Sequence, residues 1–225
     1  MLRYFASDYS LNEILLALLL TIPTVLIALT FHEYAHGYVA YKLGDPTAKN
    51  MGRLTLNPIK HFHPIGMLMM LLVGIGWANP VPINPRYFKD PKKGMAISAA
   101  AGPIINLILG FVGLFIFSLI AFILQKTHTY QISDPIWAAL MFFDNFCYMN
   151  VYLAVFNLLP IPPFDGSRVL FAFLPDKHYF AIMKYERIIM FIVLIAIATG
   201  KLALPFNLVT EGIIYGMKWI IGLIL

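Results

Sequence analysis

The apolar residues of this chain fall into blocks long enough to cross a lipid bilayer, and that restricts its possible folds more than any other feature. Ile14 to Phe31 is an uncharged, almost wholly apolar run of 18 residues. Met95 to Leu124, Ile188 to Gly200 and Trp219 to Leu225 have the same character. About 20 apolar residues in a helix cross the hydrocarbon core, so the longer runs read as membrane spans or large parts of them. The 225 residues are 60% hydrophobic and 12% charged, whereas a soluble domain is about 25% charged. A formal net charge of +5 does not point to nucleic acid, because the basic residues sit in short segments between apolar runs, where they orient a membrane protein. The single cysteine, Cys147, excludes an intrachain disulfide. No cleavable signal peptide is expected, since the first apolar run is long and passes straight into a functional motif. With no internal repeat or low-complexity tract, 1–225 is expected to form a single integral-membrane domain.

The expected fold class is all-α and polytopic. About five transmembrane helices are expected, with a small re-entrant β-hairpin or loop region over 44–94. The helices are predicted near Leu11–Leu43, Gly94–Gln125, Pro135–Leu159, Tyr179–Gly200 and Phe206–Leu225. Pro23 is a candidate kink in the first, and Gly44-Asp45-Pro46 stops it. Met51 to Pro58 and Asn79 to Arg86 alternate and carry Pro and Asn punctuation, which predicts short strands and turns. Between them, the apolar stretch from Ile65 to Ala78 would reach only about 21 Å as a helix, so it reads as re-entrant. Charge agrees: a re-entrant segment leaves Lys49, Arg53, Lys60, Arg86, Lys89, Lys92, Lys93, Lys177, Lys184 and Arg187 on one face. The positive-inside rule makes that face cytoplasmic. The N-terminus is then outside and the C-terminus inside, in a multi-pass protein of the cell membrane.

His32-Glu33-Tyr34-Ala35-His36 is an H-E-x-x-H motif. On a helix, residues four apart share a face, so both imidazoles can reach one metal ion. Glu33 is placed beside them to take a proton from a water on the metal. Zinc suits two nitrogens and one carboxylate, with a fourth position open. Two histidines and a glutamate directly after an apolar run are unfavourable near lipid unless they are paired, face a cavity or bind metal. The candidates for a third ligand are Asp144, Asp165, Asp134, His61, His63 and Glu211. Asp165 is best placed, after an apolar helix and in a segment that Pro160, Pro162 and Pro163 keep from being helical. The competing role for Asp165 is an N-cap for the segment from Ser167 to Phe173. Asn157 is an uncharged donor and acceptor in an apolar helix, suited equally to an oxyanion or to an interhelical hydrogen bond. Gly102 reads as helix packing. Asn106 is a candidate to brace the catalytic region, Asp144 reads as structural, and His61 and His63 read as surface histidines.

The H-E-x-x-H motif resembles that of the site-2 protease family of intramembrane zinc metalloproteases when it is taken with Asn157-Leu-Leu-Pro-Ile-Pro-Pro-Phe-Asp165-Gly166 and Gly102-Pro-Ile-Ile-Asn106. The resemblance covers about residues 10–175, the expected catalytic core, and leaves 179–225 as flanking helices. It implies zinc, one per chain, bound by His32, His36 and Asp165, with Glu33 as general base and Asn157 beside the active site. It also implies a membrane-dipping hairpin after the first helix. The chain looks like the short branch of the family, which lacks a PDZ or CBS domain.

The reading is therefore a zinc-dependent endopeptidase that hydrolyses peptide bonds in or beside transmembrane segments. Its partners would be a transmembrane protein or peptide substrate and the lipid bilayer, with no nucleic acid, and faces of small residues would permit a homo-oligomer. Arg53 to Leu56 or Val81 to Tyr87 would offer an edge strand to hold the substrate extended. Two rivals share the ligands: a membrane metal transporter or sensor, and an inactive protease-like scaffold. Few ionisable residues along the spans count against the first, and the intact Glu33 counts against the second.

Overall fold

The computed structural model describes residues 10–66, 78–129, 132–175, 177–178, 182, 184–199 and 203–225. The expected re-entrant stretch at 65–78 lies largely outside them. Helix α1 spans Leu11–Lys42 and stops where Gly44 takes a left-handed φ of 107°, a conformation open to glycine. Two single-turn helices follow, α2 (Thr47–Asn50) and α3 (Pro58–His61), and then a 3-10 turn at Pro85–Tyr87. Helix α4 spans Pro91–Lys126. It starts one turn before the predicted Gly94, because the Asp90 side chain caps it by accepting from Lys93 N–H and Pro91 occupies the first turn. Helix α5 spans Asp134–Asn157, α6 Asp165–Phe171, α7 Glu186–Ala198 and α8 Ala203–Gly222.

Among the described residues three helices are long and apolar enough to cross a membrane: α1 from Ile14, α4 and α5. Their polarity is the reverse of a soluble bundle. Leu15, Leu19, Ile97, Ile104 and Ile108 are at least half exposed, while Thr24, Thr30, His32, Ser98, Asn106 and Asn150 are buried between the helices. Such an arrangement suits lipid outside and hydrogen-bonded polar groups inside.

The three helices pack antiparallel in sequence. Along α1 and α4, His36 meets Ser98 and Ala28 meets Asn106. Along α4 and α5, Asn106 meets Asn150 and Gly113 lies against Phe146 and Cys147. Close approach depends on the α4 glycines: a Cβ on Gly110 would lie 2.8 Å from Val151 Cγ2 and 3.3 Å from the Cys147 carbonyl oxygen.

Two expectations change. No strand occurs among the described residues of 44–94, and the loop reading replaces the β-hairpin. Residues 78–84 carry no regular secondary structure, Pro80 and Pro82 have no N–H to donate, and the N–H groups of Asn79, Val81 and Asn84 go to His61 O, Glu33 and Asp45 instead of to a neighbouring strand. The last helix also runs in an unexpected direction. Phe206 packs on Tyr152 and Phe156, Asn207 meets Tyr148, and Ile221 joins the cluster of Leu114 and Cys147. Helix α8 is thus antiparallel to α5, whereas five successive spans would make the two parallel.

Candidate metal centre

His32 and His36 project from consecutive turns of α1 toward α4. Their Nε2 atoms are 3.0 Å apart, and both rings are buried. Asp165, the first residue of α6, brings Oδ2 to 3.2 Å from each of them. No other group of three metal-ligating side chains converges in this way among the described residues.

The surroundings set the tautomers. Asn106 Nδ2 donates to Ala28 O at 3.2 Å and to Asn150 Oδ1 at 2.9 Å, so its amide oxygen faces His32. His32 Nδ1–H therefore donates to Asn106 Oδ1 at 2.6 Å. His36 Nδ1–H donates to the Ser98 carbonyl at 2.7 Å. With each proton on Nδ1, both Nε2 atoms of the neutral rings are lone-pair acceptors. Asp165 Oδ2 is buried and has no hydrogen-bond donor.

Three acceptors facing one another at 3.0–3.2 Å repel unless a cation lies among them. The residues fit zinc on this observation: bonds of about 2.0–2.1 Å in a tetrahedral arrangement separate the ligand atoms by about 3.3 Å. The bracing of each imidazole through its other nitrogen is what metal-binding histidines need.

Gly102 makes the space. A Cβ there would lie 2.5 Å from His32 Cε1 and from His36 Nε2, so its role is to admit the imidazoles and not only to pack helices. Gly166 is bound by a similar limit, since a Cβ would strike the Leu158 carbonyl. Asp165 is not the N-cap of α6; Phe164 holds that position.

The other candidates lie elsewhere. His61 is buried, not on the surface, and its Nε2–H donates to Thr55 O at 2.8 Å. His63 Nδ1 accepts from Gly66 N–H. Asp144 and Glu211 line a groove of about 370 Å3 between α5 and α8 with Lys218. Asn157 ends α5 and donates from Nδ2 to its own helix at Leu153 O. Glu33 is half-buried, and its Oε2 accepts from Val81 N–H at 2.7 Å. Residues 81 and 84 thus have their N–H groups engaged, which leaves Val81 to Tyr87 a poor edge for an extended substrate. Sequence reasoning passed over Ser98 and Asn150. A backbone carbonyl leaves no mark in a sequence, and Asn150 becomes readable only once α4 and α5 are paired.

Metal-ligating side chains converging between helices apolar enough to cross a membrane define a membrane protein with a two-histidine, one-aspartate candidate metal site. The chain belongs to peptidase family M50, whose family model matches residues 20–199. It is 45% identical to YwhC of Bacillus subtilis over 148 residues, 65% of each protein. It is 30% identical to Rip2 of Mycolicibacterium smegmatis over 68% of this chain and 56% of Rip2, and 30% identical to MJ0611 of Methanocaldococcus jannaschii over 71% and 73%. The words "zinc metalloprotease" stand in all three names. The matched region spans less than two thirds of YwhC and of Rip2. No solved structure matches the chain.

Proposed function

We propose that this chain is an intramembrane zinc endopeptidase that hydrolyses peptide bonds in or beside the transmembrane segments of membrane proteins, and that 1–225 acts as one catalytic domain. The convergence of His32 Nε2, His36 Nε2 and Asp165 Oδ2, three acceptors without a proton among them, is the observation that carries the reading. Family membership and the names of the relatives support it.

His32, His36 and Asp165 hold the zinc. Zinc bound there supplies a Lewis acid for the substrate carbonyl and brings the pKa of water to about 7. Glu33 removes the proton of the attacking water and delivers it to the amine as the peptide C–N bond breaks. Asn106 and the Ser98 carbonyl keep both imidazoles turned toward the metal throughout. Asn157 is assigned to the substrate carbonyl, because one N–H of its amide stays within the helix and leaves the rest of the group free to bind. A helical substrate hides its backbone, so it unwinds before its carbonyl reaches the metal site.

For the topology, we assign Lys49, Arg53, Lys60, Arg86, Lys89, Lys92 and Lys93 to the cytoplasmic face. Helices α1, α4 and α5 cross, and α8 crosses back from the cytoplasmic face because it is antiparallel to α5. The 13 residues of α7 reach about 20 Å and stay on the cytoplasmic side of the core. The C-terminus is then outside, with Lys126. Site-resolved zinc binding by His32→Ala, His36→Ala and Asp165→Ala variants tests the ligand set: each loses stoichiometric zinc, and retention of full zinc by Asp165→Ala removes Asp165 from it.

A further inference from the structure

The segment Asn79-Pro80-Val81-Pro82-Ile83-Asn84 crosses α1 beside the metal centre, and its hydrogen bonds are unusual in being directed at two carboxylates. Pro80 and Pro82 carry no N–H, so Val81 has the only backbone donor of the three residues. That donor goes to Glu33 Oε2 at 2.7 Å. Three residues on, Asn84 N–H donates at 2.7 Å to Oδ2 of Asp45. Asp45 is fully buried, and its other oxygen accepts from Thr47 N–H at 2.9 Å and from the Thr47 hydroxyl. A buried carboxylate persists only when donors satisfy it, and here those donors tie the end of α1 to the 79–84 segment.

The Val81 side chain is held as tightly. Gly37, one turn after Glu33, forms a notch for it: a Cβ on Gly37 would lie 2.9 Å from Val81 Cγ1. At the other end Arg53 donates to Asn79 O at 2.7 Å. The one backbone donor of residues 80–82 is thereby aimed at the carboxylate that the proposed reaction needs.

We infer that Asp45 is a positioning residue: through Asn84 it sets the Val81 N–H, which holds one oxygen of Glu33 and leaves the other for the attacking water. The inference rests on the proposed role of Glu33 as base. It does not rest on zinc binding, since the hydrogen bonds of Asp45 and Val81 go to Thr47, Asn84 and Glu33 and not to His32, His36 or Asp165. A glutamate has three rotatable bonds, and a general base must lie within hydrogen-bond reach of the proton it takes. Loss of the tether would lower turnover without changing the affinity for substrate or metal.

The test compares Asp45→Ala, Asp45→Asn, Val81→Pro and Val81→Ala with the wild type in detergent. It reads zinc per chain, kcat and KM on a cleavable single-span peptide, and hydrogen–deuterium exchange at the amides of Val81 and Asn84. Asp45→Ala and Val81→Pro should keep their zinc and lose about 10- to 100-fold in kcat, with KM within about twofold. Asp45→Asn should recover most of that loss, because its amide oxygen can still accept from Asn84. Val81→Ala keeps the N–H and should lose less than Val81→Pro. In the exchange arm Val81 N–H is protected in the wild type, and Glu33→Ala or Asp45→Ala exposes it. Unchanged kcat in Asp45→Ala, or a rise in KM alone, would overturn the inference. So would Val81 exchange that is indifferent to both Glu33 and Asp45. The exchange arm needs no substrate, so it decides the tether even if no cleavage by the wild type is found, a result that would count against the proposed function instead. Should Asp45→Ala fail to fold, Asp45→Asn and the Val81 pair carry the comparison.

Discussion

At the scale of single residues, the metal centre is a problem of proton placement. Asn106 accepts from His32 Nδ1–H because its own N–H groups are committed to Ala28 and Asn150. Replacing Asn106 with alanine removes that brace and frees the imidazole to turn or change tautomer. A loss of about 10- to 100-fold in zinc affinity is expected, read by competition with a chelator of known strength; affinity equal to the wild type would mean that the brace is idle. Gly102→Ala should be more severe, since the new methyl would occupy the space of both imidazoles. Near-complete loss of zinc is expected while the helical circular dichroism signal persists. The convergence of His32, His36 and Asp165 was legible, because i and i+4 histidines share a helix face whatever surrounds them and because the prolines before Asp165 mark a break in an apolar segment. Their supports were less so. Asn106 stood out as a polar residue in an apolar helix, but Ser98 acts through its main chain and Gly102 through the side chain it lacks.

Among the helices, α1, α4 and α5 could be read to within a few residues, since apolar runs and capping residues are local properties. Which faces meet is less local. The α4 glycines at 110 and 113 lie directly against α5, and a larger side chain has nowhere to go. Gly110→Val should cost about 1–3 kcal/mol, measured as a lower Tm in detergent, whereas exposed Gly212, with open space around it, should tolerate alanine. The 44–94 region shows where periodicity misleads. Its alternating residues resemble strands, yet three prolines within 80–85 remove donors, and the N–H groups of Val81 and Asn84 are drawn to Glu33 and Asp45. A pattern of apolar alternation does not reveal a competing acceptor on another helix.

For the molecule as a whole, the proposed orientation of α1, α4 and α5 rests on the charge pattern, and that of the end on the packing of α8. Two aromatic contacts of Phe206 with the last turns of α5 place the start of α8 at the end of the bundle where α5 finishes. A reporter fused after Leu225 should therefore report the same side of the membrane as one inserted near His128, and opposite sides would restore the five-span arrangement. Composition could not have decided this, because the apolar blocks in 188–225 fit two crossings as well as one. The bundle has its apolar face outward and its polar residues inward, and the convergence of three acceptors at the end where α5 finishes is what turns a helical scaffold into a candidate enzyme.

The most direct test of that conclusion is paired. Wild type and Glu33→Gln are purified in detergent, zinc per chain is determined for each, and both are incubated with a panel of single-span membrane peptides. The account predicts about one zinc per chain in both proteins and cleavage by the wild type alone. Absence of zinc from both after metal is supplied, or equal cleavage by the two, would contradict it.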